Sequence, residues 1–325
     1  MKADVAFVLL SFNDSEHVLK AVSSIRRLKT RIPYAITIVD NGSSDRTPEI
    51  VREKFKDVAI IRLQKNIGTA AFNRIVPKLK CKYLFFAGSD FEFREDMLNP
   101  LVDFLERNEA CALVSPKCFD FHSREKVQAG GTWLSRSFYS GRIEDNSLGE
   151  VPVEIPYRGM GLIRVDALKK IKYLYDPDYF FYGEDVDLGM RLRLLGYSIC
   201  FHPKSIVYHH GSLSRRIHDK HLLTYLMERN LLRTFLTTFS FATIMLYVSY
   251  VLAARLFAIV RDLVTLSWSN AFSRVLALLW MPVNILTILK KRRQVQRSRV
   301  VSDDVIIDCL TEKYVLMPCN TIRKS

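Results

Sequence analysis

The chain of 325 residues carries 48 Lys and Arg against 34 Asp and Glu, a formal charge of +14, and 49% of its residues are hydrophobic. The hydrophobic content is that of a globular protein. The positive charge predicts an anionic partner, with nucleic acid, a phosphorylated substrate and a membrane surface as the alternatives. The basic cluster Lys290–Arg293, with Arg297 and Arg299, directly follows a long apolar region, which favours anionic membrane lipid. No nucleic-acid-binding signature accompanies the basic residues, which excludes nucleic acid as the partner.

The cysteines and the N-terminus indicate a cellular compartment. The six cysteines form neither a CxxC pair nor a zinc-type spacing, which predicts free thiols in a reducing compartment. Met1–Asp4 passes directly into a short apolar run that is soon followed by Asn13 and Asp14, so we expect no secretory leader. We therefore expect a catalytic face in the cytoplasm.

Short apolar runs alternate with helical patterns from residue 5 to about residue 115. The predicted strands are Val5–Leu10, Ala35–Val39, Val58–Leu63, Tyr83–Phe86 and Ala112–Val114. The predicted helices are Glu16–Leu28, a helix with Pro48 in its first turn, Ala70–Leu79 and Glu95–Glu106. This alternation predicts an α/β fold with a mostly parallel sheet flanked by helices, and ligands bind at the carboxyl ends of such strands.

Polar residues follow these strands where a ligand is expected. Ser11 and Asn13 follow the first strand, the turn Asp40–Thr47 follows the second, and the loop Asn66–Gly68 precedes the next helix. The turn exposes backbone amides, and Asp40 can accept hydrogen bonds from a base or a ribose. Ordinary turn chemistry with an N-cap is the alternative interpretation.

The segment Gly88–Glu92 follows the strand Tyr83–Phe86 and contains two carboxylates. Asp90 and Glu92 are two residues apart, so in extended backbone they project to the same side. Hard oxygen ligands with few protein carboxylates suit Mg²⁺ or Mn²⁺ bridging to substrate phosphates. A solvated acidic loop is the alternative.

The segment Tyr179–Arg191 combines an aromatic run, Gly183 and three carboxylates within four residues. Leucines at 188, 192 and 195 recur at helical spacing, which predicts a helix that begins near Glu184 and stops at Gly196. The arrangement predicts a floor for a ring-shaped ligand with an acid or a base at its edge.

The segments Val39–Asp45, Asn66–Gly68 and Phe181–Leu188, together with Asp90 and Arg191, resemble the inverting glycosyltransferases of family 2, in particular their rhamnosyltransferase-like branch. The similarity in order and spacing runs from about residue 4 to residue 215. The resemblance implies the GT-A fold, a nucleotide-diphosphosugar donor and a metal-binding DXD element.

The resemblance also implies a role for each matching position. Asp40 matches the nucleotide-base contact, Asp90 the metal-binding last Asp of the DXD element, and Asp185 the catalytic base, with Glu184 as its companion. The further donor-binding candidates are Ser11, Asn13, Asn41, Asn66, Gly68, Ser89 and Arg191. The further metal candidates are Glu92 and His209, and the acceptor-binding candidate is Trp133.

The sequence departs from the family pattern at one position of the metal element. Gly88 stands where the DXD element has its first carboxylate, and Glu92 offers a second one nearby. The implied cofactor is Mg²⁺ or Mn²⁺. His209 and His210 lie in a stretch where relatives carry metal-proximal histidines, although paired histidines before Gly211 equally suit a strand end.

The C-terminal region is strongly apolar. Thr234–Ala254 contains no charged residue over 21 positions, which is about the length that a bilayer core requires. Val275–Leu289 contains Pro282 and Asn284, which predicts a kinked, re-entrant or interfacial helix. We expect either a helical hairpin through the membrane or helices lying in its cytoplasmic interface, and the alternative is a buried helical subdomain.

These patterns predict a catalytic domain (residues 1–220), a membrane-associated region (221–300) and a short tail (301–325). Together with the resemblance, they imply a membrane-associated inverting glycosyltransferase that acts on a lipid-linked or cell-surface glycan. The competing interpretations are a polyprenyl-phosphate monosaccharide synthase and a catalytically silent sugar-nucleotide-binding protein.

Overall fold

The computed structural model describes residues 3–143, 151–211 and 220–311. The strands are β1 (Val5–Ser11), β2 (Tyr34–Asp40), β3 (Ala59–Arg62), β4 (Tyr83–Gly88), β5 (Phe91–Phe93), β6 (Cys111–Asp120), β7 (Val127–Ala129), β8 (Gly131–Ser135), β9 (Ser140–Ile143), β10 (Val153–Glu154), β11 (Gly161–Arg164), β12 (Ser198–His209) and β13 (Leu310–Thr311). The α-helices are α1 (Ser15–Arg26), α2 (Thr47–Lys54), α3 (Leu98–Arg107), α4 (Val165–Ile171), α5 (Glu184–Leu194), α6 (Lys220–Thr238), α7 (Phe241–Val264), α8 (Trp268–Val283), α9 (Ile285–Arg297) and α10 (Asp304–Ile307).

The described strands form one large sheet and one small sheet. The main path of the large sheet is β10-β12-β6-β11-β4-β1-β2-β3, with β5 paired to β12 and β7 paired to β6. The pairs β4–β1, β1–β2, β2–β3 and β6–β12 are parallel, whereas β11 is antiparallel to both neighbours. The sheet is therefore mixed, and the predicted parallel order holds in its N-terminal half. The small sheet has the order β13-β8-β9.

The strand order creates a crevice at the carboxyl ends of β1, β2 and β4. The chain leaves β1 toward β2 on one side and returns to β4 on the other, and such a switch in direction opens a ligand site in α/β sheets. The predicted α/β fold is confirmed, and the polar turns after these three strands meet at one edge.

The predicted helix Ala70–Leu79 is wrong. Two 3-10 helices, Gly68–Arg74 and Val76–Lys78, occupy the segment. Pro77 has no N–H group and would clash with the carbonyl of Asn73 in an α-helix. The Asn73 side chain is instead bonded to the loop before α5: its Nδ2 donates to the carbonyl of Tyr175 (2.6 Å).

The helices after residue 220 share a core with α5. One buried cluster contains Val186 and Met190 of α5, Leu231 of α6, Val251 of α7 and Val295 of α9. The predicted boundary at residue 220 falls beside residues 212–219, which lie outside the described residues, and the apolar core continues on its far side. The helical region therefore packs as part of the protein body.

The uncharged run Thr234–Ala254 does not form one helix, which corrects its prediction as a single span. The run is divided between α6 and α7, because Ser240 starts a new helix and its hydroxyl accepts a hydrogen bond from the N–H of Thr243 (3.2 Å). Within the described residues, α7 alone is long and apolar enough to cross a membrane as one straight helix. The predicted kink is confirmed, since α8 and α9 meet at Asn284 with a bend of 73°.

Candidate active site

The turn after β2 gathers three predicted nucleotide-binding residues. Asp40 is buried, and its carboxylate accepts hydrogen bonds from the hydroxyl and the N–H (3.3 Å) of Ser43. Asn13, whose φ is 49°, accepts a hydrogen bond from the N–H of Ser44 (2.8 Å). Ser11 is the register partner of Asp40, and its buried hydroxyl has no hydrogen-bond partner among the described residues. The structure thus brings Ser11, Asn13 and Asp40 together.

Asn41 holds the neighbouring loop in place. Its Nδ2 donates to Asn66 Oδ1 (2.9 Å) and to the carbonyl of Gly68 (3.0 Å), and its Oδ1 accepts from the N–H of Ile67 (3.0 Å). The loop in turn touches the segment before α5, because the N–H of Thr69 donates to the carbonyl of Phe180 (3.0 Å). Asn41, Asn66 and Gly68 therefore connect the turn after β2 to the segment that precedes α5.

Replacement of Gly68 by Ala tests this connection. Gly68 has a φ of +68°, and a Cβ there would lie 1.8 Å from the carbonyl oxygen of Phe180. We expect Gly68→Ala to lower the free energy of unfolding by at least about 1–3 kcal/mol, since left-handed strain adds to a backbone collision. The measurement is chemical denaturation.

Gly196 supplies the matched control for Gly68→Ala. Its φ is +83°, but a Cβ there would meet only the Val301 side chain at 3.5 Å. Gly196→Ala is expected to carry the backbone strain alone. Equal destabilisation by the two substitutions would contradict the tight contact with Phe180.

Asp90, which is buried, and His209, which is partly exposed, form a pair next to the crevice. Asp90 is 2% exposed, and its Oδ2 lies 3.1 Å from His209 Nε2. Gln128 Nε2 donates to Asp120 (2.6 Å), which leaves Gln128 Oε1 to accept from His209 Nδ1 (2.6 Å). The imidazole also stacks on Phe91, with ring centroids 4.3 Å apart. Metal-binding histidines are oriented in this way through their second nitrogen, so the pair suits a divalent cation.

The other polar residues of this segment make separate contacts. Glu92 lies 2.9 Å from His210 Nε2, and Ser89 donates its hydroxyl to Asp14 (2.8 Å). Within residues 3–143, 151–211 and 220–311, no group of three or more His, Cys, Asp or Glu side chains that could hold a metal ion is found. A cation at Asp90 and His209 would draw its remaining ligands from substrate phosphate and water, as Mg²⁺ commonly does.

Asp185 lies in the first turn of α5, where the helix dipole favours a negative charge. Thr132 of β8 donates its hydroxyl to Asp185 Oδ2 (2.5 Å), and the N–H of Val186 donates to Oδ1 (2.9 Å). The side chain is partly exposed, and a Cβ on Gly159 would come within 3.1 Å of it. The carboxylate is held in one orientation and keeps lone pairs available for a ligand.

Glu184 differs from Asp185 in its surroundings. Its Oε2 is buried without a hydrogen-bond partner among the described residues. Burial, reinforced by the charge of Asp185, raises the pKa of Glu184 to about 8. The two predicted catalytic carboxyls therefore differ in their surroundings, and the raised pKa favours the protonated form of Glu184 near neutral pH.

The pH dependence of stability tests the burial of Glu184. Folding raises its pKa from 4.5 to about 8, so the folded protein binds more protons than the unfolded chain between these values, and stability falls as pH rises through this window. We expect Glu184→Gln to gain stability relative to wild type from pH 5 to pH 8, on the order of 3 kcal/mol. The measurement is denaturation at several pH values.

Glu106 provides the control for this experiment. A hydrogen bond from the Tyr83 hydroxyl (2.7 Å) lowers the pKa of Glu106, so that residue is ionised throughout the window. Glu106→Gln should therefore differ from wild type by an amount that does not change with pH. A flat profile for Glu184→Gln as well would contradict a raised pKa at Glu184.

Asn230 of α6 holds the loop that precedes α5. Its Nδ2 donates to the carbonyls of Phe181 (3.0 Å) and Tyr182 (2.7 Å). Tyr182 has a φ of 64°, which is strained for a residue other than glycine and needs such support, and Gly183 follows it with a φ of 78°. Tyr179 is buried, and its hydroxyl donates to the carbonyl of Asn230 (2.9 Å), whereas Phe180 is exposed. In the predicted aromatic floor, Tyr179 therefore packs inside the protein and Phe180 stays open to solvent.

Two predicted contact residues lie in the interior. Arg191 is 4% exposed, and it donates to Asp187 (2.8 Å) and to the carbonyls of Tyr173 (2.9 Å) and Leu174 (2.7 Å). Its predicted diphosphate contact finds no support in this position, because the guanidinium is directed at protein oxygens. Trp133 is 2% exposed, and its acceptor contact stays a prediction.

Arg158 is a site residue that the sequence patterns did not single out. It is buried, its Nε donates to Ser115 (2.9 Å), and its positive charge interacts with Asp185. Burial lowers the pKa of this guanidinium. A surface cavity of about 610 Å³ lies elsewhere, against Arg94, Lys117 and Lys204, and contains none of the predicted site residues.

A mixed α/β sheet flanked by helices, with polar turns at its switch point, is the architecture of the GT-A fold class. Residues 7–172 match the family described as Glycosyl transferase family 2. Since the match covers half of the chain, the protein belongs to this family.

Curated relatives agree with the family assignment. N-acetylglucosaminyl-diphospho-decaprenol L-rhamnosyltransferase of Mycobacterium tuberculosis is 24% identical over 64% of this chain and 76% of its own length. Succinoglycan biosynthesis protein ExoA of Rhizobium meliloti is 28% identical over 62% of each chain. Poly-beta-1,6-N-acetyl-D-glucosamine synthase of Staphylococcus epidermidis is 23% identical over 63% of this chain and 49% of its own. The chain is a glycosyltransferase similar to enzymes of polysaccharide and cell-envelope biosynthesis.

Solved structures share the fold. GalNAc-T7 with UDP, GalNAc and Mn²⁺ superposes with a TM-score of 0.61 at 17% identity, over 78% of this chain and 50% of that one. Residues 1–349 of S. aureus TarS superpose with a TM-score of 0.55 at 15% identity, over 94% and 88%. The chain thus spans about half the length of GalNAc-T7 and nearly all of the TarS fragment.

Proposed function

We propose that the protein transfers one sugar, with inversion, from a nucleotide-diphosphosugar to a lipid-linked or cell-surface glycan. The observation that carries the proposal is Asp185, a partly exposed carboxylate fixed by Thr132 at the edge of the donor crevice. Sugar transfer by related enzymes of the same family supports the reaction class.

Asp185 acts as the general base. It accepts the proton of the acceptor hydroxyl while that oxygen bonds to the anomeric carbon, and the bond from this carbon to the diphosphate oxygen breaks on the opposite face. A positioned base of this kind contributes a factor of about 10² to 10⁴ to the rate. The buried Arg158 adds a positive charge that interacts with the Asp185 carboxylate.

The donor occupies the crevice between the turn after β2 and the pair Asp90–His209. Ser11, Asn13 and Asp40 contact the nucleoside, and the free hydroxyl of Ser11 supports this role. Asp90 and His209 would hold Mg²⁺ or Mn²⁺, and the cation would supply positive charge to the leaving diphosphate. Glu92 is bonded to His210, so we assign it to supporting the strand.

A transfer assay with the full chain in membranes tests the proposal. Labelled nucleotide sugars are supplied singly with Mn²⁺, and label is counted in the lipid and glycan fractions. Incorporation from one donor, absent from membranes without the chain, is the expected result. Incorporation into bare polyprenyl phosphate would instead select synthesis of a lipid-phosphate sugar. Absence of transfer from every donor, in membranes rich in lipid-linked acceptors, would overturn the proposal.

A further inference from the structure

The helices α7 to α9 present a large apolar surface, which we call the apolar face. Six of its members are each more than half exposed: Leu246, Val260, Val264, Phe272, Leu279 and Leu286. A monomeric soluble protein rarely exposes so many neighbouring large apolar side chains, so the face has a partner.

The charged residues of this region are turned away from the apolar face. Four charged residues lie between 241 and 289, all within the described residues, and each of them is buried or partly buried. Arg255 and Arg274 both pair with the buried Glu228 of α6, the first at 3.2 Å. Arg274 also donates to Asp262 (2.8 Å), which is paired with Arg261. An inward ion-pair network thus leaves the outer side free of charge.

The apolar face ends in a basic stripe on α9. Leu286, Lys290, Arg293 and Arg297 follow one another at spacings of four, three and four residues, and all are exposed. Residues at these spacings share one face of a helix. The stripe therefore passes from apolar to basic, as a helix does where it leaves the hydrocarbon and enters a layer of anionic headgroups.

The packing of α7 argues against a bilayer crossing. A helix of its 24 residues is about 36 Å long, and the protein body contacts it at both ends and in the middle. The N–H of Ser240 donates to Asp303 (2.8 Å) at the start and Arg255 donates to the carbonyl of Phe138 (2.7 Å) in the middle. Near the end, Asp262 bonds Arg274 of α8, which in turn pairs with Glu228 of α6. A crossing would break these contacts and bury the freed charges in lipid.

We propose that the apolar face lies in the interface of an anionic lipid bilayer without crossing it. The hairpin of β8 and β9 rests directly on α7, since Tyr139 donates its hydroxyl to the carbonyl of Ala254 (3.4 Å), and the same hairpin carries Thr132, which holds Asp185. The membrane surface is thereby next to the acceptor side of the site. This last step rests on the proposed function; the docking mode does not.

Vesicle flotation of the full chain tests the docking mode. Wild type should float with vesicles of phosphatidylcholine and phosphatidylglycerol, and more weakly with phosphatidylcholine alone. Replacing Lys290, Arg293 and Arg297 by Gln should weaken binding to the anionic vesicles about fivefold for each charge. Phe272→Glu with Leu279→Glu should abolish flotation with both vesicles. These positions are exposed, and circular dichroism checks that each variant is folded.

The matched control replaces Arg52, Lys54 and Lys56, which are exposed near α2, by Gln and should float like wild type. Sidedness is read at Thr265 between α7 and α8: docking in one interface predicts that Thr265→Cys gains no label over wild type from an impermeant maleimide trapped inside the vesicles. Labelling of this position from the vesicle lumen would indicate a crossing and overturn the proposal. A wild-type chain that ignores vesicles but forms a stable dimer would overturn it too. Flotation is independent of transfer, so failure of one proposal is distinguishable from failure of the other.

Discussion

Asp185→Asn is expected to lower the turnover number by a factor of about 10² to 10⁴ while the protein stays folded. The amide keeps the size of the side chain and can still accept from Thr132, but it cannot take the acceptor proton. The affinity for the donor should change little, because the base meets the acceptor. Initial rates of transfer and equilibrium binding of the donor, measured on the same preparation, check both parts.

Two control variants sharpen this prediction. Asp103→Asn alters an exposed carboxylate on α3 and should retain wild-type turnover. Thr132→Val removes the hydrogen bond to Asp185 and should lower turnover less than the loss of the base itself, since it disturbs only orientation. Near wild-type turnover in a folded Asp185→Asn variant would rule out Asp185 as the base.

Asp90→Asn is expected to weaken the binding of Mn²⁺ by at least about 100-fold. Loss of a partner that merely orients a metal ligand already costs about 10- to 100-fold in affinity, and Asp90 is proposed to be a ligand itself. The measurement is a titration of Mn²⁺ followed by electron paramagnetic resonance, with UDP present. Activity at saturating metal should recover only in part, because the amide carries no charge.

Glu92→Gln is the matched comparison for Asp90→Asn. It removes a carboxylate two residues away, but one that is bonded to His210. We expect its affinity for Mn²⁺ to stay within about tenfold of wild type. Equal losses in the two variants would place both carboxylates on the cation and contradict the assignment of Glu92 to support.

The crevice was predictable because its residues are local in sequence. Ser11, Asn13, Asp40 and Asp90 each follow a buried apolar strand, and the carboxyl ends of those strands meet at one edge of the sheet. The start of α5 at Glu184 was predictable for the same reason, since Gly183 immediately precedes the helix and the leucine spacing runs along it to its C-terminal end. Short-range patterns were enough for both.

The supports of the site were not predictable because they come from distant segments. Thr132 reaches Asp185 across 53 positions and Asn230 reaches Phe181 across 49, and no spacing rule connects such residues. The misassigned segment at residues 70–79 has the same origin, because Pro77 and the long-range bonds of Asn73 override its helical pattern. Charge burial at Arg255 and Arg274 likewise emerges only from packing.

The hydrogen bonds from Asn230 to the loop before α5 limit how a form of the protein that stays in solution without detergent can be designed. Deleting the chain after residue 220 would remove that amide and open the core around Val186, leaving the loop before Asp185 and its helix without support. Recoding the outward side chains, for example Leu246, Val264 and Phe272, to polar residues keeps every inward contact instead. A soluble variant of this protein therefore requires new polar side chains on one surface, and it must retain the helices that carry them.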